Sequence, residues 1–113
     1  MVVEEITAQQ LESEISRGED IAVVDVRSTL DVDRWQIDAN GLPFLNVPES
    51  VVTDDVARAK TLISGLLQND TKVRVICNRG RASLRVAETL NSAGLPATTV
   101  SGGMIAWSRL LSP

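Results

Sequence analysis

Residues 73–83 read VRVICNRGRAS and predict a strand that leads through a short loop into a helix. Val73–Ile76 is mainly apolar and predicts the strand, while the residues after about Arg81 follow helical spacing. Cys77 therefore stands at the carboxyl end of a strand. In an open α/β sheet, ligands bind at this edge.

The flanking segments continue the alternation of strands and helices. Ile21–Val26 is an apolar run that is rich in branched side chains and too short for a helix, which is typical of a strand buried on both faces of a parallel sheet. Pro48 limits the strand before it to a short, peripheral one. The other predicted strands are Val2–Glu5, Leu45–Val47 and Thr98–Val100.

Capping residues and glycines mark the helix boundaries. Thr7 and Gln10 fit a capping box that starts a helix, and Gly18 fits its end. Ser28 or Thr29 fits the cap of a brief helix. The other predicted helices begin at Thr53–Asp55, run from about Arg81 to Gly94, and span Met104–Leu111.

Strands that alternate with helices are typical of an α/β fold. We expect about five parallel strands with helices on both faces, joined by right-handed crossovers. A chain of 113 residues folds around one core, so we expect a single domain over residues 1–113. The composition, 43% apolar and 23% charged, is that of an ordinary globular domain.

The composition excludes several classes of function. The chain has no histidine and one cysteine, so it holds no Ser-His-Asp triad, no Cys-His dyad, no zinc site of several Cys or His ligands and no internal disulfide. Three aromatic residues and a net charge of −4 argue against nucleic-acid binding. We expect no cofactor and no metal.

The sequence also predicts a location. No apolar run approaches the roughly 18 residues that span a bilayer, and the first residues are acidic where a secretory signal is basic. We expect a cytoplasmic protein with no membrane partner, and a monomer.

Charge is distributed unevenly along the chain. Residues 71–113 hold Glu88 alone against six basic side chains, a net of +5. A basic segment in an acidic protein either attracts a small anion or compensates the acidic residues that fold against it. The asymmetry by itself favours compensation.

The loop after Cys77 has the composition of an anion site. Backbone amides at a strand-to-helix turn add to the positive end of the helix, so they hold an anion or stabilise a thiolate. Gly80 lets the loop curl tightly, and Arg79 and Arg81 suit a small oxyanion. Most lone cysteines are small apolar core residues. A core cysteine needs neither this glycine nor two nearby cations, which favours a functional thiol, although we expect at least one arginine to be merely solvated.

The sequence narrows the chemistry of this thiol. A cysteine phosphatase needs an arginine six positions after its nucleophile, where this chain has Ser83. Disulfide cycles of the thioredoxin or arsenate reductase type need a second thiol, which the chain lacks. What remains is a sulfur that accepts a group and passes it to an external acceptor.

Three blocks of sequence resemble the single-domain rhodanese-like sulfurtransferase family, and the resemblance covers nearly the whole chain. Val23–Arg27 is similar to the family's aspartate-x-arginine block, Val75–Ser83 resembles its active-site loop, and Val100–Trp107 resembles its closing Gly-Gly-x-x-x-Trp segment. The resemblance implies a rhodanese-like three-layer α/β domain.

The resemblance also implies a thiosulfate sulfurtransferase. Cys77 is then the catalytic nucleophile, which takes a sulfane sulfur from a small anionic donor such as thiosulfate and becomes a persulfide. A thiophilic acceptor removes that sulfur: cyanide in an assay, or a cellular thiol or protein in vivo. The substrate and persulfide are held by the loop residues Asn78, Arg79, Gly80, Arg81, Ala82 and Ser83.

The chain departs from the family pattern in two places. Residues 36–43 replace the family's Gly-His-Ile-Pro-Gly-Ala segment, lack its mainly structural histidine and are a few residues longer. Ala82 stands where the family commonly has Arg, Ser or Thr. A hydrogen bond that orders the loop is therefore missing, and we expect Arg79 or Arg81 to replace it.

Several other motif residues have structural interpretations. Asp25 and Arg27 are expected to tie the end of a strand to its neighbours through hydrogen bonds. The pair Gly102–Gly103 supplies a turn that a Cβ atom would obstruct. Trp35 and Trp107 are expected in the core or in an interface.

Two alternatives stay open. The first is a non-catalytic rhodanese-fold module that binds or regulates a partner, because a fold alone does not establish chemistry. The second is a redox sensor whose Cys77 is oxidised or glutathionylated and then restored by external thiols.

Overall fold

Five parallel strands form one sheet in the computed structural model, which describes residues 3–38, 41–68 and 70–111. The strands are β1 (Glu5–Ile6), β2 (Ile21–Asp25), β3 (Phe44–Asn46), β4 (Lys72–Ile76) and β5 (Ala97–Val100). The helices are α1 (Ala8–Ser16), α2 (Thr29–Arg34), α3 (Glu49–Asp54), α4 (Val56–Ser64), α5 (Arg81–Ser92) and α6 (Gly103–Leu111). The strand order is β1-β5-β4-β2-β3, and every pairing is parallel. The predicted α/β fold is confirmed.

Helices cover both faces of this sheet. Val23 and Val24 of β2 are fully buried, although neighbouring side chains of a strand point to opposite faces. The core cluster that contains Val24 also contains residues of α3, α4 and α5, among them Leu90. The cluster that contains Val23 also contains residues of α1 and α6, among them Leu11. The sheet is therefore the middle of three layers, as predicted for a run of apolar, branched residues such as β2.

The start of α1 has the predicted capping box. The Thr7 side chain accepts a hydrogen bond from the Gln10 amide at 3.0 Å, and the Gln10 side chain accepts one from the Thr7 amide at 2.7 Å. The helix ends at Ser16, and Gly18 follows with a φ of +68°. Two of the backbone donors that a helix leaves without partners are thus satisfied reciprocally.

The predictions for the first strand and for the helix at Thr53–Asp55 are wrong in their boundaries. The first strand was expected over Val2–Glu5, but β1 is Glu5–Ile6, and Val2 lies outside the described residues. A single helix was expected to begin at Thr53–Asp55, but two helices meet there. The first begins directly after Pro48 and ends at Asp54, and the Asp55 carboxylate caps the second by accepting from the Arg58 amide at 3.0 Å.

The two tryptophans occupy different environments. Trp107 lies in the core between α6 and the sheet, as expected. Trp35 follows α2 and is 41% exposed, which rules out the core and leaves its place in an interface a prediction. The unusual segment 36–43 falls partly outside the described residues, since 39 and 40 are not described, but Ile37 within it is buried against the α1 and α6 side of the sheet.

A buried ion pair joins α1 to the middle of the sheet. Arg74 of β4 donates to both carboxylate oxygens of Glu14, from Nε at 2.9 Å and from Nη2 at 2.6 Å. Both residues are buried. The pair compensates the charge of an arginine placed within a core strand, which would otherwise be costly to bury.

None of the helices in the described ranges is both long enough and apolar enough to cross a lipid bilayer. The expected cytoplasmic location and monomeric state stay predictions.

Candidate active site

The sulfur of Cys77 lies at the carboxyl end of β4, one residue beyond its last member. It accepts hydrogen bonds from the backbone amides of Gly80 at 3.1 Å and Ser83 at 3.3 Å. The thiol donates to Oγ of Ser83 at 3.3 Å. Only 4% of the residue is exposed, so the sulfur is held inside a loop of its own chain. Such a loop supplies fixed donors to a negatively charged sulfur.

The first turn of α5 provides these donors because its N-terminus lacks a side-chain cap. The N-cap residue is Gly80, which has no side chain to accept from the helix amides. Ser83 is the third helical residue, whose amide an N-cap side chain normally satisfies. The Cys77 sulfur accepts from that amide instead. The positive end of α5 is therefore directed at the sulfur.

A second polar side chain stands behind the sulfur. Oγ1 of Thr99 in β5 donates to Oγ of Ser83 at 2.7 Å, and both residues are buried. When Cys77 is ionised, the Ser83 hydroxyl can donate to the sulfur while it accepts from Thr99. Sequence analysis did not identify Thr99, although two successive threonines in a buried strand were an available signal.

The first turn of α6 holds the other side of the loop. The Met104 amide donates to the Cys77 carbonyl at 2.8 Å, and the Ile105 amide donates to the Asn78 carbonyl at 3.0 Å. Gly103 has a φ of +54°, and a Cβ atom there would overlap the Cys77 carbonyl oxygen. The prediction that a side chain would obstruct the Gly102–Gly103 turn is confirmed.

Gly80 is required by the same close approach. It adopts a φ of +94°, and a Cβ atom at this position would lie 2.9 Å from the backbone nitrogen of Gly102. The loop and the turn before α6 therefore pack backbone against backbone. Neither segment can accept a side chain at this contact without moving the other.

The predicted loop residues take different positions. The amides of Gly80 and Ser83 contact the sulfur, and the Asn78 carbonyl contacts α6. Ala82 is half-buried against the core on the α3, α4 and α5 side of the sheet. The side chains of Arg79 and Arg81 are exposed.

The expectation that Arg79 or Arg81 replaces a hydrogen bond missing at Ala82 is wrong. With the residues that the structure describes, neither guanidinium forms a hydrogen bond or an ion pair. The loop is ordered through its backbone by α6 instead. This arrangement leaves both arginines available to ligands from solution.

The neighbouring strand end is fixed by Asp25 and Arg27. Arg27 donates to the Asp25 carboxylate from Nη2 at 2.8 Å and from Nε at 3.0 Å, and to the Trp35 carbonyl at 2.6 Å. The Asn46 side chain donates to the carbonyls of both Asp25 and Arg27. The structural role expected for this pair is confirmed, because its hydrogen bonds tie β2 to β3 and to α2.

One further ion pair lies at this edge of the sheet. Arg85 of α5 donates to Glu49 of α3 from Nε at 2.8 Å and from Nη2 at 3.1 Å. The hydrogen bond from Arg85, together with its positive charge, holds the pKa of Glu49 below its usual value despite partial burial. The hydrogen bond to Glu49, then the charge of Glu49, raises the pKa of Arg85, and Cys77 adds to that effect. Sequence analysis missed both residues.

A cavity of about 590 Å³ opens at the opposite edge of the sheet. Residues from the amino ends of two strands line it, among them Lys72 of β4 and Ala97 of β5. It therefore lies away from Cys77 and takes no part in the site.

A family model and a relative match the chain along most of its length. The model of the rhodanese-like domain family matches residues 7–110. A relative from Bacillus subtilis, named "Putative sulfurtransferase YtwF", is 27% identical over 114 residues, an alignment that covers 100% of this chain and 98% of that protein.

Solved structures share the same fold. A rhodanese-related protein from Thermoplasma volcanium superposes with a TM-score of 0.73 at 26% identity, covering 97% of this chain and 95% of that one. A thiosulfate sulfurtransferase from Pseudomonas aeruginosa superposes with a TM-score of 0.75 at 18% identity, covering 98% of this chain and 20% of that one, and shows the likeness of fold alone. With the family model matched over most of its length, the chain belongs to the rhodanese-like domain family.

Proposed function

We propose that the protein is a sulfurtransferase that carries a sulfane sulfur on Cys77 as a persulfide. The observation that carries the proposal is the position of the sulfur, which accepts from two backbone amides at the start of a helix. Membership in the rhodanese-like family and a relative named as a sulfurtransferase support it. The fold alone would not, since one fold serves many chemistries.

The first half-reaction loads the sulfur. The Cys77 thiolate attacks the outer sulfur of thiosulfate, a new S–S bond forms, and the S–S bond of thiosulfate breaks. Sulfite leaves with the electron pair of that bond. No proton has to be delivered to sulfite, so a chain without histidine can perform this step.

The second half-reaction unloads it. An acceptor attacks the outer sulfur of the persulfide, and Cys77 leaves again as a thiolate. Cyanide becomes thiocyanate, whereas a cellular thiol or a protein thiolate becomes a persulfide itself. Charge and atoms balance in both steps without an external oxidant or reductant, so the chain needs only to stabilise a sulfur anion.

This stabilisation falls to the loop. The amides of Gly80 and Ser83 donate to the sulfur, and the hydroxyl pair of Ser83 and Thr99 adds a third donor when Cys77 is ionised. The exposed Arg79 and Arg81 side chains raise the local concentration of a small dianionic donor. Fixed donors of this kind need no reorganisation when the negative charge returns to the sulfur.

Steady-state kinetics test the proposal. Thiocyanate formation from thiosulfate and cyanide should give the parallel double-reciprocal lines of a ping-pong reaction. Cys77→Ser should fold normally, because the change removes little volume, and should lose activity by at least about a thousand-fold. Transfer that survives in this variant would refute the mechanism. A wild-type protein that reacts with peroxide but never with thiosulfate would favour a redox sensor instead.

A further inference from the structure

The Glu49–Arg85 pair lies at the edge of the sheet where Cys77 emerges. The Glu49 amide donates to the Val26 carbonyl at 3.0 Å, and the Val26 amide donates to the Ile76 carbonyl at 2.9 Å. Ile76 directly precedes Cys77. Two successive hydrogen bonds therefore connect the backbone of Glu49 to the end of the strand that carries the nucleophile.

Arg85 belongs to α5, the helix whose first turn contacts the sulfur. It follows Ser83, whose amide contacts the Cys77 sulfur, by two residues in α5. Its guanidinium bridges from α5 to Glu49 on α3. The hydrogen bond to Glu49 and the charge of Glu49 raise the pKa of the guanidinium, burial lowers it, and the charge of an ionised Cys77 adds a smaller increase. An ionised Cys77 and Arg85 therefore attract each other.

The pair is exposed, so its value for stability is small. The side chain of Arg85 is 62% exposed and that of Glu49 is 32% exposed. Ion pairs with this exposure contribute little to the free energy of unfolding. The planar fork of an arginine fits a carboxylate and a tetrahedral oxyanion equally well. An anion that approaches Cys77 can therefore compete with Glu49 for the same guanidinium.

We propose that Glu49 and Arg85 form a specificity pair at the rim of the site, in which Arg85 attracts the anionic group of the sulfur donor and Glu49 competes for that arginine. This inference rests on the proposed sulfur transfer, and it adds two positioning residues outside the loop from Cys77 to Ser83. It predicts effects of opposite sign for the two partners. A purely structural pair would give effects of the same sign, since either substitution removes the same interaction.

Alkylation of Cys77 tests the proposal without requiring sulfur transfer. Iodoacetate and iodoacetamide attack the same atom but differ by one negative charge. The rate constant for iodoacetate divided by that for iodoacetamide therefore measures how strongly the surroundings of the sulfur favour an anionic reagent. We expect Glu49→Gln to raise this ratio about two- to five-fold and Arg85→Gln to lower it by a similar factor. Both shifts should shrink in about 1 M salt, where the screening length is about 3 Å.

The chain offers a matched control pair. Arg17 donates to Glu19 at 2.7 Å, and the two side chains are 64% and 34% exposed. Both residues precede β2, at the amino edge of the sheet, opposite Cys77. Glu19→Gln and Arg17→Gln change the net charge by the same unit as the rim variants. They should leave the alkylation ratio unchanged.

The outcomes separate this inference from the proposed function. Rim variants that shift the ratio in the same direction would overturn it, and so would control variants that shift it as far as the rim variants. Thermal melts establish that each variant is folded, and Glu49→Ala serves as a second removal of the acid. The KM for thiosulfate should fall in Glu49→Gln and rise in Arg85→Gln. If the alkylation ratios shift as expected but the protein does not turn over thiosulfate, the role of Glu49 and Arg85 is supported and sulfur transfer from thiosulfate is refuted.

Discussion

The amide nitrogen of Ser83 lies 3.3 Å from the sulfur of Cys77 and donates a hydrogen bond to it. Ser83 is the third residue of α5, and the amide at this position of a helix normally donates to the N-cap side chain. Thr7 and Asp55 accept from the same position of α1 and α4 through their own oxygens. In α5 a residue three positions before the cap takes over this task. The Cys77 sulfur is thus an integral acceptor of the helix, so a charge on the sulfur interacts directly with the first turn of α5.

The hydroxyl pair behind the sulfur gives a first prediction. Ser83→Ala keeps the amide donor but removes the hydroxyl, and it should slow persulfide formation about ten-fold, the effect of losing one hydrogen bond to a charged group. Thr99→Val should slow it less, because Ser83 keeps its contact with the sulfur. Stopped-flow measurement of the loading step with thiosulfate checks both. The neighbouring Thr98→Val is the matched control. If it slows persulfide formation as much as Thr99→Val does, the proposed role of the Thr99 hydroxyl is contradicted.

Replacement of Gly103 gives a second prediction. Gly103→Ala should lower the free energy of unfolding by about 2 kcal/mol or more, because its Cβ atom would overlap the Cys77 carbonyl in addition to the strain of a positive φ. Gly18 also has a positive φ, but nothing lies within 4 Å of its Cβ position. Gly18→Ala should therefore cost only about 1 kcal/mol in urea unfolding. If both substitutions lower the free energy of unfolding equally, the contact between Gly103 and the loop does not contribute to stability.

The buried pair between α1 and β4 gives a third prediction. Glu14→Leu alone leaves Arg74 buried without a partner and should lower the free energy of unfolding by about 3 kcal/mol or more. The double variant with Arg74→Met should recover most of that loss, because neither charge then remains in the core. Denaturant unfolding of the three variants measures the cycle. A double variant less stable than Glu14→Leu would contradict this interpretation of the pair.

The pH dependence of stability gives a fourth prediction. Since the hydrogen bond from Arg85 lowers the pKa of Glu49 below its usual 4.5, the carboxylate stabilises the folded chain above that pH. The contribution is lost as the pH falls through the lowered pKa. The difference in Tm between the wild type and Glu49→Gln should stay constant between about pH 6 and 8 and decrease in acid below about pH 4.5. If the difference in Tm between the wild type and Glu49→Gln increases in acid, the lowered pKa of Glu49 is contradicted.

Local patterns made much of the fold and the position of Cys77 predictable. The capping box at Thr7 and the apolar run of β2 depend on neighbouring residues only. The position of Cys77 follows equally from the strand before it and the glycine-containing loop after it. The first turn of α3 was not predictable in this way, because Pro48 ends the short strand and starts the helix at once.

The missed parts of the site depend on contacts between distant segments. Glu49 and Arg85 are 36 residues apart and meet only because α3 packs beside α5. Thr99 reaches Ser83 because β5 pairs with β4 in the register that places Thr99 opposite Val75. Arg79 or Arg81 was expected to order the loop through a side-chain hydrogen bond. Backbone amides of α6 do so instead, and hydrogen bonds between backbone groups cannot be read from side-chain types.

The intact mass of the reduced protein after incubation with excess thiosulfate, before and after cyanide, tests the central claim most directly. Cys77 is the only thiol in the chain, so the site of any adduct is unambiguous. We predict a gain of one sulfur atom that cyanide removes, with a matching amount of thiocyanate. Unchanged mass and no thiocyanate, from a protein whose Cys77 still alkylates, would contradict sulfur transfer from thiosulfate and favour a binding module or a different donor.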